Sequence, residues 1–116
     1  MPTTTTYKRG SVVLVSFIFT DETGAKKRPA VVVSSDKYHK DRQEVIIAAI
    51  TSRTDRILAG DLLIRDWSEA GLKSPSVATG IIRTIKHDMI VQKLGTLSKC
   101  DLSEIDKNLY VILGIK

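Results

Sequence analysis

Two short stretches hold the residues of this chain best suited to chemistry. In the first, Lys26, Lys27 and Arg28 stand directly before Pro29, Ala30, Val31, Val32 and Val33. The three valines read as a buried strand, because β-branched side chains suit a pleated surface and the run is too short for a helix. Pro29 has no N–H to donate and belongs at a strand's first residues or on an edge; it also biases Arg28 towards an extended backbone. An arginine is thereby held where a strand leaves a loop, the kind of place where binding and catalytic groups concentrate. The second stretch has the mirror-image layout, with the apolar run from Val45 to Ile50 first and Thr51, Ser52 and Arg53 last. Paired antiparallel, the two strands would set Arg28 and the Thr51 and Ser52 hydroxyls at one sheet end. Together with Lys26, Lys27, Arg53 and Arg56 they could cradle a phosphate, whose oxygens a planar guanidinium matches in a bidentate way. The same cations are equally consistent with solvated protection of strand ends.

The elements that must position these groups follow from the apolar pattern. Residues 1–7 are polar and low in complexity and read as a frayed tail; residues 8–116 read as a single domain. Residues 11–19 form a first strand apolar enough to be buried on much of both faces. The turn residues from Thr20 to Ala25 then make a hairpin to the Arg28 strand. Residues 36–43 are charged and aperiodic, a surface loop or one helical turn, before the strand at 45–52. A polar connection over 53–59 leads to a short strand at 60–64, and an irregular excursion over 66–75 carries Gly71 and Pro75. Residues 76–85 form a long strand in which Gly80 marks a bulge or a close backbone approach, and 89–97 form the last strand. Ser98 then caps a helix, with Asp101 three positions on as a short-armed capping box, and Leu102, Ile105, Leu109 and Ile112 recur at helical spacing, facing the core. Many short strands and one terminal helix predict a mainly β fold with a C-terminal helix, built as a small, strongly bent sheet or barrel.

Composition narrows the chemistry. The 116 residues suffice to bury about two-thirds of the unfolded surface, and 42% hydrophobic with 27% charged residues is ordinary for a soluble domain. Lys and Arg exceed Asp and Glu by 18 to 13, a net charge of +5 that favours a polyanionic partner such as nucleic acid or an acidic protein segment. No apolar run approaches 18 residues and no signal-peptide pattern is present, so no membrane association is expected. The single Cys100 fits a reducing, cytoplasmic setting. One Cys with two widely separated histidines, His39 and His87, has no zinc-ligand spacing. Asp21 and Glu22 are an adjacent pair in a loop and read as solvated, and Gly24 stands alone with no helix after it, so neither a metal nor a nucleotide cofactor is expected. His39 and His87 could act as an acid–base pair in a ribonuclease, but both sit in charged, surface-like segments.

Five segments in order carry a resemblance to a known family. They are Gly10 to Val15, Arg28 to Ser34, Ala49 to Ser52, Ile82 to Ile85, and Lys93 to Gly95 followed by the closing helix. In order and spacing they resemble the MazF/PemK toxins over about residues 8–113. The resemblance implies an SH3-like barrel with a terminal helix and a homodimer. It further implies metal-independent cleavage of single-stranded RNA at short sequences, and neutralisation by a cognate antitoxin, whose complex with the toxin binds DNA. By position, the family's catalytic arginine falls on Arg28 and its strand-end threonine on Thr51, with Ser52 matching the adjacent hydroxyl of the plasmid-type members. The chain departs from the pattern in two places. The Glu-Gln pair of many members is replaced by Thr23 to Lys27, with Glu22 a displaced candidate. The plasmid-type Arg and Asp upstream of the Arg-Thr-Ile motif correspond to Ala78 and Gly80.

On this reading the RNA's own 2′-hydroxyl attacks the neighbouring phosphorus, giving a 2′,3′-cyclic phosphate and a 5′-hydroxyl. Arg28 stabilises the phosphorane charge, Thr51 hydrogen-bonds a phosphate oxygen or the attacking hydroxyl, and Ser52 supports it. Lys26, Lys27, Arg53 and Arg83 are expected to contact flanking phosphates, and Tyr38, Trp67 and Phe19 to stack on splayed bases. The general base has no candidate. Two alternatives use the same fold without cleavage: a nucleic-acid-binding barrel that has lost its catalytic groups, and a toxin that acts by binding a protein such as a topoisomerase.

Overall fold

The computed structural model describes residues 7–18 and 25–115. Strands β1 (Ser11–Ile18), β2 (Ala25–Val32), β3 (Glu44–Thr51), β4 (Leu62–Leu63), β5 (Val77–Lys86) and β6 (Ile90–Thr96) form one antiparallel sheet in the order β4-β5-β3-β2-β1-β6. Helix α1 (Asp36–Asp41) joins β2 to β3, and helix α2 (Lys99–Leu113) closes the chain. None of the described helices is long and apolar enough to cross a membrane.

The hairpin of β1 and β2 forms as the turn residues predict, but β2 begins well before the valine run. Lys26, Lys27 and Arg28 are ladder residues, opposite Phe17, Ser16 and Val15. Pairing with the apolar β1 outweighs the poor strand propensity of the cations. On the other side of β2 the ladder to β3 is short, running only from Val32↔Ile47 to Ala30↔Ala49. The reason lies in Pro29. Val33 donates its N–H to Ile46 O of β3 at 2.9 Å, and groups along a strand alternate sides with a period of two. The position without a donor at Pro29 therefore faces β3, and pairing stops there.

The sheet is curled but not closed. Strands β5 and β6 lie four strand spacings apart in the sheet order, about 19 Å if flat. A 3₁₀ turn of only three residues, His87–Met89, nevertheless joins them, and the chain from Lys86 to Ile90 reaches at most about 15 Å. The sheet must curl to satisfy that link, which makes one end of the curl tight. The expected class, mainly β with a C-terminal helix, is present, and of the two forms expected the sheet takes the strongly bent one without closing into a barrel: among the described residues β6 pairs with β1 alone and β4 with β5 alone. The short strand expected over 60–64 shrinks to β4, too short to bridge the two edges.

Apolar residues fill both faces. Val13, Val15, Ala30, Val32, Val45, Ile47, Ile85 and Ile90 form one core inside the curl. Val12, Val31, Ala48, Ile50 and Ala78 form the other, beneath Leu97, Ile105 and Leu109 of the α2 region and beneath the 66–75 excursion. Along β5 the register shifts between Ala48↔Ile82 and Ile50↔Ala78, so the expected bulge at Gly80 is present. Thr79 Oγ1 donates to Ala49 O across it at 2.7 Å.

The start of α2 departs from a capping box. Ser98 Oγ accepts the Asp101 N–H at 3.1 Å, but the Asp101 carboxylate does not reach back to the Ser98 backbone. Instead it is buried and accepts the Arg65 N–H at 3.0 Å, the Asp66 N–H at 2.9 Å and the Ser98 hydroxyl at 3.2 Å. It joins the first turn of α2 to the start of the 66–75 excursion. Close backbone packing fixes the far side of that excursion. Gly71 has φ +84°, and a Cβ there would fall 2.0 Å from Leu94 O, while a Cβ on Gly95 would fall 2.4 Å from Ala70 O. Only glycines let these backbones meet.

A second polar strut sits at the other end of β2. Buried Ser34 Oγ accepts the Ile46 N–H at 2.9 Å and shares a 2.5 Å hydrogen bond with His39 Nε2 on α1. His39 Nδ1 is buried without a hydrogen-bond partner among the described residues. Desolvation by burial holds this imidazole below its ordinary 6.5, against weaker opposing effects of the Asp36 charge and the Tyr7 backbone.

Two expectations follow. Asp101→Ala strands two backbone N–H groups, each of which costs about 1–3 kcal/mol when buried unpaired; chemical denaturation should show a loss of about 3 kcal/mol. Because the folded His39 pKa lies below 6.5, the unfolded chain binds the extra proton first as pH falls. The contribution of neutral His39 is complete above pH 6.5 and is lost as pH falls through the folded value. Thermal denaturation from pH 7.5 to 5 should show falling stability, with a shallower fall in His39→Gln.

Candidate functional site

The early end of the β2–β3 ladder creates the site. Continuing the register Ala30↔Ala49 by two residues sets Arg28 opposite Thr51, on a stretch where the strands no longer pair. Both residues, with Ser52, line a cleft of about 780 Å³ at the open end of the curl. Arg28 and Ser52 are exposed and Thr51 is half-buried. Thr51 Oγ1 accepts the Arg53 N–H at 3.1 Å. This local turn fixes the oxygen and leaves its proton free to donate.

Every wall comes from a different part of the chain. Phe17 of β1 and Gln92 and Leu94 of β6 line one side, while Ile81 and Arg83 of β5 line another. The bulge at Gly80 is what presents Ile81 there, 62% exposed. The third wall is the excursion, through Gly71, Leu72, Lys73 and Ser74, held by the Asp101 carboxylate at one end and by the glycine contact with β6 at the other. The described lining carries three cations, Arg28, Lys73 and Arg83, and no Asp, Glu or His. An anion entering this cleft meets guanidinium, ammonium and hydroxyl donors with no opposing carboxylate. The described residues contain no group of three His, Cys, Asp or Glu side chains placed to share a metal ion.

The other sequence candidates are placed differently. Lys26 and Lys27 are exposed and outside the cleft lining. Lys26 shares the face of Arg28, two residues away, whereas Lys27 projects from the opposite face. Arg53 also lies outside the lining and forks onto Asp55, with Nε and Nη2 each 3.3 Å from a carboxylate oxygen. That hydrogen bonding and the opposite charge raise the Arg53 pKa and lower that of Asp55. Tyr38 lies under the Arg42 guanidinium at 5.2 Å on α1, and Trp67 packs against the core beneath α2, so neither faces the cleft. His39 and His87 are likewise absent from the lining. Phe19, Asp21 and Glu22 lie outside the described residues. Ala78 is buried and Gly80 donates its N–H to Asp61 Oδ1 at 2.8 Å, so both positions serve the packing and the bulge of β5.

Sequence reasoning missed Phe17, Lys73 and Gln92. Lys73 lies in a segment with no periodicity to orient it. Phe17 and Gln92 lie in strands whose cleft-facing residues are decided by register shifts between β1 and β6 at Val12/Val13 and Leu14/Val15, which no local pattern reveals.

The chain matches the PemK-like, MazF-like toxins of type II toxin-antitoxin systems over residues 8–113. No curated protein matches it in sequence. Among solved structures it is similar to a mycobacterial endoribonuclease in complex with its cognate antitoxin, at TM-score 0.75 and 20% identity over 96% of this chain and 98% of the other. It is also similar to a MazE-MazF structure from Deinococcus radiodurans, at TM-score 0.78 and 18% identity over 95% of this chain and 97% of the other. The Mycobacterium tuberculosis toxin MazF-mt6 has TM-score 0.73 and 20% identity over 90% and 96% of the two chains.

Proposed function

The chain belongs to the PemK/MazF-like toxin family of type II toxin-antitoxin systems, and from that premise we propose that it is a metal-independent endoribonuclease acting on single-stranded RNA. The observation that carries the proposal is the placement of Arg28 opposite Thr51 in a cleft whose described lining has cations and hydroxyls but no acid. RNA supplies its own nucleophile. The 2′-oxygen bonds to phosphorus, the bond from phosphorus to the 5′-oxygen breaks, and the products are a 2′,3′-cyclic phosphate and a 5′-hydroxyl. The protein's task is to hold sugar and phosphate in line and to stabilise the charge that grows on the phosphorane oxygens. Arg28 takes that charge through its planar fork. Thr51 donates its hydroxyl to a phosphate oxygen or orients the attacking 2′-hydroxyl, and Ser52 supports it. The described lining supplies no imidazole or carboxylate as general base, so the 2′-proton passes to water or to a group outside the described residues, and the departing 5′-oxygen takes its proton from water or from Arg28, which regains one from water. Lys26, on the same face as Arg28, is the residue proposed to meet a flanking phosphate beyond the cleft.

The partners proposed are a second copy of the chain and a cognate antitoxin. The last turns of α2 leave Tyr110, Val111 and Leu113 half or more exposed, as is Ile115 just beyond the helix, an apolar surface suited to a protein partner. The net charge of +5 and the acid-free cleft favour an acidic antitoxin segment that orders over Arg28 and Thr51.

The purified protein in EDTA should cut mixed-sequence single-stranded RNA and leave DNA and fully 2′-O-methylated RNA intact; cleavage of the methylated strand would rule out attack by the 2′-hydroxyl. Arg28→Ala should lose about a hundredfold or more in rate, and Arg28→Lys most of the activity, since an ammonium lacks the planar fork. Thr51→Ala should lose as much. Folding stability should hardly change in any of them, and an unfolded Arg28→Ala would make the arginine structural. RNA binding without cleavage would assign the chain to the non-catalytic, nucleic-acid-binding alternative. Sedimentation should show a dimer, and an acidic antitoxin should protect RNA; tight antitoxin binding with cleavage intact would remove it from the cleft.

A further inference from the structure

One pair of cleft residues takes no part in holding the scissile phosphate, and it includes Arg83, for which the sequence offered a flanking-phosphate contact. Arg83 leaves β5 opposite Ile47, and its guanidinium carbon lies 4.8 Å from the centroid of the Phe17 ring on β1. Two strands, β3 and β2, separate β5 from β1 in the sheet, so the pair meets only because the sheet curls. Phe17 is half-buried and packs against the core inside the curl, whereas Arg83 is exposed, and both line the cleft with Arg28. Arg83 forms no ion pair with a carboxylate among the described residues. The guanidinium over the ring belongs to an exposed residue of the cleft lining, so a ligand in the cleft can reach it.

Unpaired nucleobases are held by stacking on aromatic rings and on guanidinium planes. We infer that Phe17 and Arg83 form a base-stacking platform, which takes an unpaired RNA base next to the linkage held between Arg28 and Thr51. The inference rests on the ribonuclease reading for its ligand and adds to it a base subsite. The ring sets the plane of the guanidinium, the guanidinium carries the base, and the N–H edge remains able to meet an acceptor on that base. Gln92, in the same lining, adds an amide that can both donate and accept. Such a platform requires a plane at position 83, where a phosphate contact would require only a charge.

That difference defines the experiment. Binding of a fully 2′-O-methylated single-stranded RNA, which cannot be cut, is measured across a salt series for the full chain and for Arg83→Lys, Arg83→Gln, Phe17→Leu and Phe17→Tyr. With a stacking platform, Arg83→Lys and Phe17→Leu each weaken binding by roughly tenfold with the salt slope unchanged, and Phe17→Tyr binds as the parent does. If Arg83→Lys binds like the parent while Arg83→Gln loses affinity and about one unit of salt slope, Arg83 is a phosphate contact and the platform is overturned. Arg83 is a surface position, so its variants decide the matter even if Phe17→Leu fails to fold. Platform-dependent binding by a protein that leaves unmodified RNA uncut would sink the ribonuclease reading and keep the platform. Absence of RNA binding by the parent protein would sink both.

Discussion

The missing N–H of Pro29 shapes the cleft end of this molecule. It falls on the side of β2 that faces β3, where the next ladder hydrogen bond would form, and pairing ends at Ala30↔Ala49. An ordinary residue there could extend the ladder and draw Arg28 and Thr51 into a continuous sheet. Without the donor the two strands part, and a guanidinium and a hydroxyl face each other across backbone that no longer pairs. The proline also fixes its own φ and restricts Arg28 to an extended conformation, so the arginine is aimed as well as released.

The gap becomes a cleft because two other constraints supply its walls. The three-residue link between β5 and β6 forces the sheet to curl, which brings Arg83 across to Phe17 and closes one end around an apolar core. The 66–75 excursion supplies the remaining wall although it forms neither helix nor strand, only turns whose backbone hydrogen bonds run from Ala70 to Asp66, Gly71 to Ser68 and Leu72 to Trp67. Its position depends on one buried carboxylate and on two glycines. Asp101 is well placed for this work: it lies in the first turn of α2, where the helix dipole favours negative charge, and its oxygens are taken up by backbone N–H groups and the Ser98 hydroxyl. The helix is therefore both a lid on one core and an anchor for the site on the other side of the sheet.

Charge completes the arrangement. The cations in the described lining stand without acidic neighbours there, whereas four cations elsewhere among the described residues are paired, Arg53 with Asp55 and Lys107 with Glu104 among them. Pairing Arg53 with Asp55 occupies its fork within the protein, whereas Arg28 and Arg83 are exposed in the cleft lining and form no ion pair among the described residues. The same separation explains why a count of basic residues near the strand ends is a poor guide to which of them can bind an anion.

Much of this was legible in the residues themselves. The valines and isoleucines identify the strands, the turn residues the first hairpin, Gly80 the bulge, and Ser98 with the 3.6-residue apolar spacing the closing helix, because each is a local preference of backbone or side chain. The two stretches around Arg28 and Thr51 could be paired by their mirrored order alone, and Pro29 announced itself as the end of something. What the sequence could not settle was every feature that depends on which strands end up beside which. The side of the sheet that Lys27 faces follows from register. The choice of Asp101 to bind the Arg65 and Asp66 backbone, and not its own cap, follows from a loop arriving 35 residues away in the chain. The meeting of Phe17 with Arg83, and the failure of the curled sheet to close, follow from the length of one short link measured against the width of the sheet. These are long-range geometric outcomes, and local propensity carries no information about them.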